Sequence, residues 1–381
     1  MSLVQRAAAL VPMLRQNAGA AEKERRVPLA SLEALDEAGV FRMMAPKKYG
    51  GDEADFDTQC RVLAEIARGC PSTSWVATIY SAMAWVVSAF PDEAQEEIFA
   101  GGVPRMAGVF SPTGTAVPKD GGFVVTGRWP FNTGCHGAQW TVVVAIVVSK
   151  TGEGLPHCLL VRSGELTILD DWYASGMAAT GSNTVVAQEV FVPAHRALPL
   201  PDMVEGRYPQ RHNSDNPYFN YPLAPVLVVN AGGTPLGIAR GAMEAFFDRL
   251  PGRGITYTTY TNKAEAPVTH LQAGEASLKI ESASAHIGYA TAILDGRSAP
   301  LTLVERVKSR AHIGYATGLA REAVDLLFHG SGASAIQTQV PIQRFQRDMQ
   351  ALANHAIMHA PTAIELYGRV LCGLEPNTPL Y

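Results

Sequence analysis

The 381 residues contain no CxxC pair, no run of basic side chains and no strand followed by a glycine-rich turn into a helix. Nor is there a stretch of about 18 or more apolar residues, the length that a membrane span requires. The five cysteines, Cys60, Cys70, Cys135, Cys158 and Cys372, are odd in number and scattered. That argues against a disulfide framework or a cysteine-bound structural zinc, and is the pattern of a reduced cytoplasmic protein. A net charge of -4 and an isoelectric point near 6.2 leave no positive field to gather nucleic acid or an anionic membrane. The N-terminal residues lack the basic start and apolar core of a signal peptide.

What is present is ordinary globular material, 47% hydrophobic and 17% charged, enough for two or three packed units. Residues 1–104 carry helical periodicity, with Ser72 to Phe90 apolar on every side, as expected of a central buried helix. From residue 105 the texture turns to short β-branched runs broken by Gly, Pro and Asp: Arg105 to Phe110, Gly122 to Val125, Thr141 to Val148, Pro156 to Val161, Leu166 to Leu169 and Val185 to Val192. This predicts a compact β-barrel or sandwich over 105–222, closing with a Pro-rich connection from Leu198 to Pro225. Residues 223–381 return to four long helical patterns, Val226 to Leu250, Val268 to Leu294, Leu301 to Phe328 and Pro341 to Leu371, which would pack as a bundle. The fold class is α+β.

Two loops of the β segment share an unusual composition. Gly127 to Trp140 (GRWPFNTGCHGAQW) and Asp171 to Asn183 (DWYASGMAATGSN) combine aromatics, glycines and small hydroxyls beside strands. They read as the two lips of a site built against a flat ligand, with Trp129 and Phe131 as walls.

These loops, together with APKKYGG (Ala45 to Gly51), VFVP (Val190 to Pro193) and QRFQRDMQALANH (Gln343 to His355), resemble the acyl-CoA dehydrogenase fold across nearly the whole chain. The likeness is closer to the reduced-flavin-dependent monooxygenases built on that fold, relatives of the p-hydroxyphenylacetate hydroxylase oxygenase component. The resemblance implies a flavin between the β domain and the bundle, contacted by Trp129, Phe131, Asn132, Thr133, Gly134, Thr180, Gly181 and Ser182, in a homodimer or homotetramer.

Residue chemistry separates the branches. A dehydrogenase of this fold needs a carboxylate to take the α proton. The two places where the family keeps that glutamate read Ala353 to Ala356 and Pro222 to Ala231, and neither contains Asp or Glu. His355 stands there instead, as in the monooxygenase branch, where reduced flavin and O2 give a C4a-hydroperoxide that survives in a dry, hydrogen-bonded pocket. The resemblance assigns catalytic roles to His355, Thr133 and Cys135. A His355–His359 metal pair lacks an acid and a third ligand, so no metal is expected.

Phenol hydroxylases of the family place a second histidine on the buried early helix, where this chain has Met83. A pocket walled by Trp75, Tyr80 and Met83 holds no base to ionise a phenol of pKa about 10. It suits an electron-rich fused ring such as an indole or a polycyclic natural product. Gly330 to Ala335 (GSGASA) follows a helix and is no dinucleotide motif, so a separate NAD(P)H-dependent flavin reductase is expected to supply reduced flavin. By resemblance Arg253, Gly330 and Gly332 approach the distal half of that flavin, which favours FAD over FMN. The alternatives are an acyl-CoA dehydrogenase-type oxidoreductase with a displaced base, or an N- or S-oxygenase of the same fold.

Overall fold

The computed structural model describes residues 1–148 and 154–381. Five helices come first, α1 (Leu3–Glu24), α2 (Leu29–Glu37), α3 (Phe56–Gly69), α4 (Pro71–Ser88) and α5 (Asp92–Phe99). Ser2 and Gln5 form a reciprocal capping box at the start of α1, and Asp55 caps α3 by accepting from Thr58 N at 2.7 Å, so orphan N–H groups are satisfied locally. Every residue of α4 except Ile79 is buried. Its hydroxyls turn inward on the helix itself, Thr78 Oγ1 donating to Ser74 O at 2.9 Å and Ser81 Oγ to Ala77 O at 2.8 Å, so the polar atoms of this central helix are paired.

Seven strands follow: β1 (Met106–Lys119), β2 (Gly122–Trp129), β3 (Trp140–Val148), β4 (Gly154–Arg162), β5 (Thr167–Ile168), β6 (Val185–Pro193) and β7 (Ala197–Pro199). They form one sheet in the order β5-β6-β2-β1-β3-β4-β7. β1 and β3 run parallel, and all other neighbours are antiparallel. β1 continues past Phe110, the end of the run expected from Arg105. Its register against β3 shifts between Gly108, Pro112 and Gly114, and such an irregularity lets a residue without an N–H sit in a sheet.

Alternation along β3 explains how the sheet joins the helices. Val143 and Ala145 point into a cluster that β1, β2, β4 and β6 share with Trp129. Val142 and Val144, on the opposite face, belong with Cys158 and Leu160 to the large core that contains the helices. A strand buried on both sides needs a continuous apolar run, and WTVVVAIVV supplies it.

After α6 (Leu200–Val204) the chain crosses a loop to α7 (Leu223–Ala231), α8 (Gly233–Phe247), α9 (Pro267–Leu294), α10 (Leu303–Gly330), α11 (Pro341–Ala353) and α12 (Ala360–Leu371). Two of the expected long helices are therefore each divided. α7 and α8 meet at Gly232, and at Gly233 a Cβ would lie 2.2 Å from Cys60 O, so backbone contact with α3 requires glycine there. The second division, between Ala353 and Ala360, has a plainer cause: Pro361 in the first turn of α12 has no N–H to continue α11. His355 thus stands in a turn.

The Trp129 indole is fully buried and donates to Val144 O at 2.8 Å. Gly114 and Gly127 make the space, since a Cβ at either would meet its ring at 2.3 or 2.6 Å. Trp129→Ala should destabilise the protein by about 3–5 kcal/mol, measured by urea unfolding; a loss below about 1 kcal/mol would show that the sheet cluster does not depend on this ring.

Candidate active site

The first loop rests on Tyr80. Gly134 adopts φ 74°, and a Cβ there would lie 2.7 Å from the Tyr80 ring, so only glycine fits. The Tyr80 hydroxyl donates to Gly134 O at 2.6 Å, and burial raises its pKa far above the ordinary value, which keeps the donor protonated.

The second loop is joined to the first by backbone and side chain alike. Gly134 N donates to Thr180 O at 2.9 Å and Asn132 N to Asn183 O at 3.2 Å. Cys135 Sγ donates to Gly181 O at 3.3 Å, and burial pushes the thiol up to about 12, so it is a protonated tie between the loops and not a nucleophile. His136 Nε2 and Asn183 Oδ1 are 3.0 Å apart. A chain of buried hydroxyls crosses the seam: Thr133 Oγ1 to Ser182 Oγ at 2.8 Å, Ser182 Oγ to Thr180 Oγ1 at 2.7 Å, and Thr180 Oγ1 to Met177 O at 2.8 Å. Beside it a hollow of about 280 Å³ is lined by Arg25, Arg26, His136, Leu169, Asp170 and Asn183.

α11 reaches the same place from the helical side. Asp348 Oδ1 accepts from Met177 N at 2.5 Å. Past its end, the His355 ring meets the Trp75 ring edge-on, with centroids 4.9 Å apart and planes at 66°. Surrounding protein atoms push the His355 pKa down to about 4. The residue keeps an open face to solvent, so water screens part of that effect; the direction stands, and the imidazole is neutral at pH 7. Ile357 N approaches Nδ1 at 3.4 Å, which assigns the acceptor role to Nδ1 and the proton to Nε2. A larger hollow of about 410 Å³, lined by Arg310, Asn354, Ala356 and His359 among others, omits both His355 and the loops.

Three cations gather at the end of α10. Arg249 Nη2 and Arg253 Nη1 donate to Ser334 Oγ at 3.0 and 3.3 Å, and Lys263 donates to Gly330 O. Burial first, and then the neighbouring arginines, lower the pKa of Lys263; Arg249 is lowered by burial and by Arg253. Among the described residues no carboxylate contributes to either shift, a state that favours a bound anion.

The expected residues therefore fall into five places, Asn132 going with the paired loops through its N–H to Asn183 O. Thr133, Gly134, Cys135, Thr180, Gly181 and Ser182 form the paired loops, and Trp75 and His355 form an aromatic contact. Arg253, Gly330 and Gly332 lie in the cation cluster. Trp129, Tyr80 and Met83 are packed inside: Trp129 has no exposed surface, Tyr80 is a support, and Met83 fits against Gly108, where a Cβ would lie 2.4 Å from its sulfur. Phe131 is 69% exposed, with φ 62°, and packs edge-on to Trp172. Arg249, Lys263 and Asp348 were not singled out from the sequence. The signals were there in the basic residues flanking PGRG and in the acid of the Arg347-Asp348 pair.

Residues 7–106 match the family model described as acyl-CoA dehydrogenase, N-terminal domain, and residues 230–360 match acyl-CoA dehydrogenase, C-terminal domain. The chain belongs to the acyl-CoA dehydrogenase family. Within it, the chain is 31% identical to the FADH(2)-dependent resorcinol hydroxylase oxygenase component of Rhizobium sp. strain MTP-10005, over 98% of this chain and 95% of that one. It is 33% identical to the flavin-dependent monooxygenase oxygenase subunit HsaA of Rhodococcus jostii strain RHA1, over 97% and 98%. The crystallised XiaF from Streptomyces sp., in complex with FADH2 and glycerol, superposes with a TM-score of 0.91 at 31% identity, covering 100% of this chain and 97% of that one. The protein is accordingly an oxygenase component of a flavin-dependent monooxygenase, and the absence of the dehydrogenase glutamate agrees with that branch.

Because the folded pKa of His355 lies below its unfolded value near 6.5, neutral His355 contributes stability that is complete above about 6.5 and is lost as pH falls toward 4. Histidine NMR titration should show the His355 resonance moving below pH 6.5, and Trp75→Ala should raise that midpoint; a midpoint at or above 6.5 in the native protein would contradict the crowded environment.

Proposed function

We propose that the protein hydroxylates an electron-rich aromatic through a C4a-hydroperoxyflavin, using reduced FAD and O2. The reading is carried by one observation: the buried hydroxyl chain Thr133–Ser182–Thr180 joins the two loops, and α11, which accepts from Met177 N at the start of that chain, leads on to a neutral His355. Bound reduced flavin supplies the two electrons and the site at which O2 is activated. Thr133 and Ser182 would hold the ring edge by hydrogen bonding, the closed seam would limit water, and Nε2–H of His355 would donate to an oxygen of the reacting centre.

The residues fit a flavin on two further counts. Both amide atoms of Asn132 are buried without a partner, a costly state that a ligand or a bound water relieves. Arg249, Arg253 and Lys263 form a cationic cradle suited to a diphosphate, which supports FAD rather than FMN. XiaF was crystallised with FADH2, whereas TdsC from Paenibacillus sp. A11-2, alike in fold at 21% identity, was crystallised with FMN.

His355 also bears on the substrate. An imidazole whose pKa is depressed, with no carboxylate behind it, is a poor base for a phenol of pKa about 10. A fused ring such as an indole needs no deprotonation before it attacks electrophilic oxygen, and this supports the indole-like class for this chain. A relative at 28% identity is named indole-3-acetate monooxygenase, although the resorcinol hydroxylase takes its name from a phenol.

Relatives named as oxygenase components imply a separate flavin reductase, here read as NAD(P)H-dependent. α9 presents Leu271, Leu278 and Tyr289 to solvent, with Tyr315 of α10 nearby, at 73%, 65%, 60% and 46% exposure. Such an apolar face supports assembly with further copies of this chain, as a dimer or tetramer.

The test is to mix the protein anaerobically with FADH2 or FMNH2, admit O2 and follow flavin absorbance. A peroxyflavin lasting seconds is expected; oxidised flavin forming at its free-solution rate would overturn the reading. Arg249→Ala or Arg253→Ala should each weaken FAD binding about tenfold, the value of one charge-assisted hydrogen bond, with a smaller effect on FMN. Equal effects on both flavins would place the cations away from the adenylate half.

A further inference from the structure

Asp348 is the only charged side chain among the described residues that is buried. Burying a carboxylate is unfavourable unless it is specifically hydrogen-bonded, and its ionised form is held back here: burial raises its pKa to about 7. What it holds is the second loop. Three successive loop residues are fastened to α11: Ser175 O accepts from Arg347 Nη1 at 2.5 Å, Gly176 lies so near that a Cβ would be 2.1 Å from Arg347 O, and Met177 N donates to Asp348 Oδ1 at 2.5 Å.

Met177 is strained, with φ 54° in a side-chain-bearing residue, and such a conformation persists where its surroundings impose it. Its carbonyl accepts from both Thr180 N at 3.1 Å and Thr180 Oγ1 at 2.8 Å. The hydroxyl chain from Thr180 through Ser182 to Thr133 therefore begins at the carbonyl of the residue whose N–H Asp348 fixes. The same helix leads into the turn that carries His355, whose N–H donates to Leu352 O at 2.9 Å.

We propose that Asp348 is a positioning residue of the oxygenase site: by gripping Met177 N–H it sets the register between α11, which leads to His355, and the hydroxyl chain that ends at Thr133. It acts through Met177 and touches no reacting atom. The proposal rests on the flavin reading of those loops. The charged and titratable groups facing Asp348 are Arg344 and Arg347 of its own helix, Glu22 of α1, which pairs with both arginines, and the Cys70 thiol where α3 meets α4. The arginines favour its ionised form and Glu22 opposes it.

Two pH dependences of opposite sign follow. A folded pKa raised above the unfolded one gives stability that is present below about 4 and is lost as pH rises through about 7. The grip on Met177 N–H strengthens over that same rise, because an ionised acceptor makes the stronger hydrogen bond.

The experiment compares wild type, D348N and D348L by hydrogen exchange of residues 175–184 in the flavin-free protein from pH 5 to 8.5, corrected for intrinsic rates, and by FAD binding through fluorescence. In wild type, protection of the Met177 amide should rise through about pH 7. D348N keeps an acceptor without a charge and should retain protection with no such step. D348L should lose protection by about tenfold or more and bind FAD more weakly. A pH step that survives in D348N, or wild-type protection in D348L, would overturn the proposal. If D348L does not fold, the D348N comparison decides alone. If wild type shows the step and binds no FAD, the flavin reading fails and the Asp348 grip stands.

Discussion

The hydrogen bonds between Gly134 N and Thr180 O and between Asn132 N and Asn183 O are the constraint on which the site depends. They turn two separate loops, one after β2 and one before β6, into a single wall. Everything nearby serves to keep those peptides in place. Tyr80 rises from α4 to hold Gly134 O, Cys135 ties to Gly181 O, and α11 presses on the second loop from the opposite side. The hydroxyls of Thr133, Ser182 and Thr180 can then satisfy one another without water, which is the condition for a dry polar edge.

The electrostatics divide the molecule by task. Within the seam the Tyr80 and Cys135 protons are retained, and His355 is neutral, while the charged Arg25, Asp170 and Asp171 stand at its outer margin. At the α10 end the opposite holds, with Arg249, Arg253 and Lys263 crowded together and no acid among the described residues offsetting Arg249 or Lys263. An uncharged edge suits a flat ring and a reactive oxygen species, and a bare cationic cluster suits the phosphates at the far end of the same kind of cofactor.

Much of this was legible in the residues. The order of helical, β and helical segments followed from periodicity, and the two loops stood out by composition. The missing glutamate argued against dehydrogenation once the family resemblance had said where it would stand. What periodicity concealed were the breaks and the directions of side chains. Pro341 to Leu371 scans as one helix because the apolar spacing survives the interruption that Pro361 imposes, so the turn holding His355 was invisible. Trp129 read as a wall because aromatics beside a turn often are, yet the glycines at 114 and 127 draw its ring inside the sheet. Tyr80 and Met83 share a helix so apolar that no spacing distinguishes a pocket face from a core face. Asp348 was hidden for a different reason: an acid in an amphipathic helix is ordinarily solvated, and only the packing of Gly176 and Met177 onto α11 reveals that this one is buried.

The most direct test is a crystal structure of the protein with FAD bound. The isoalloxazine edge should lie within hydrogen-bonding distance of Thr133 or Ser182, with His355 beside the ring and the diphosphate against Arg249, Arg253 or Lys263, from the same chain or from another copy. A flavin ring seated away from both loops would contradict this arrangement.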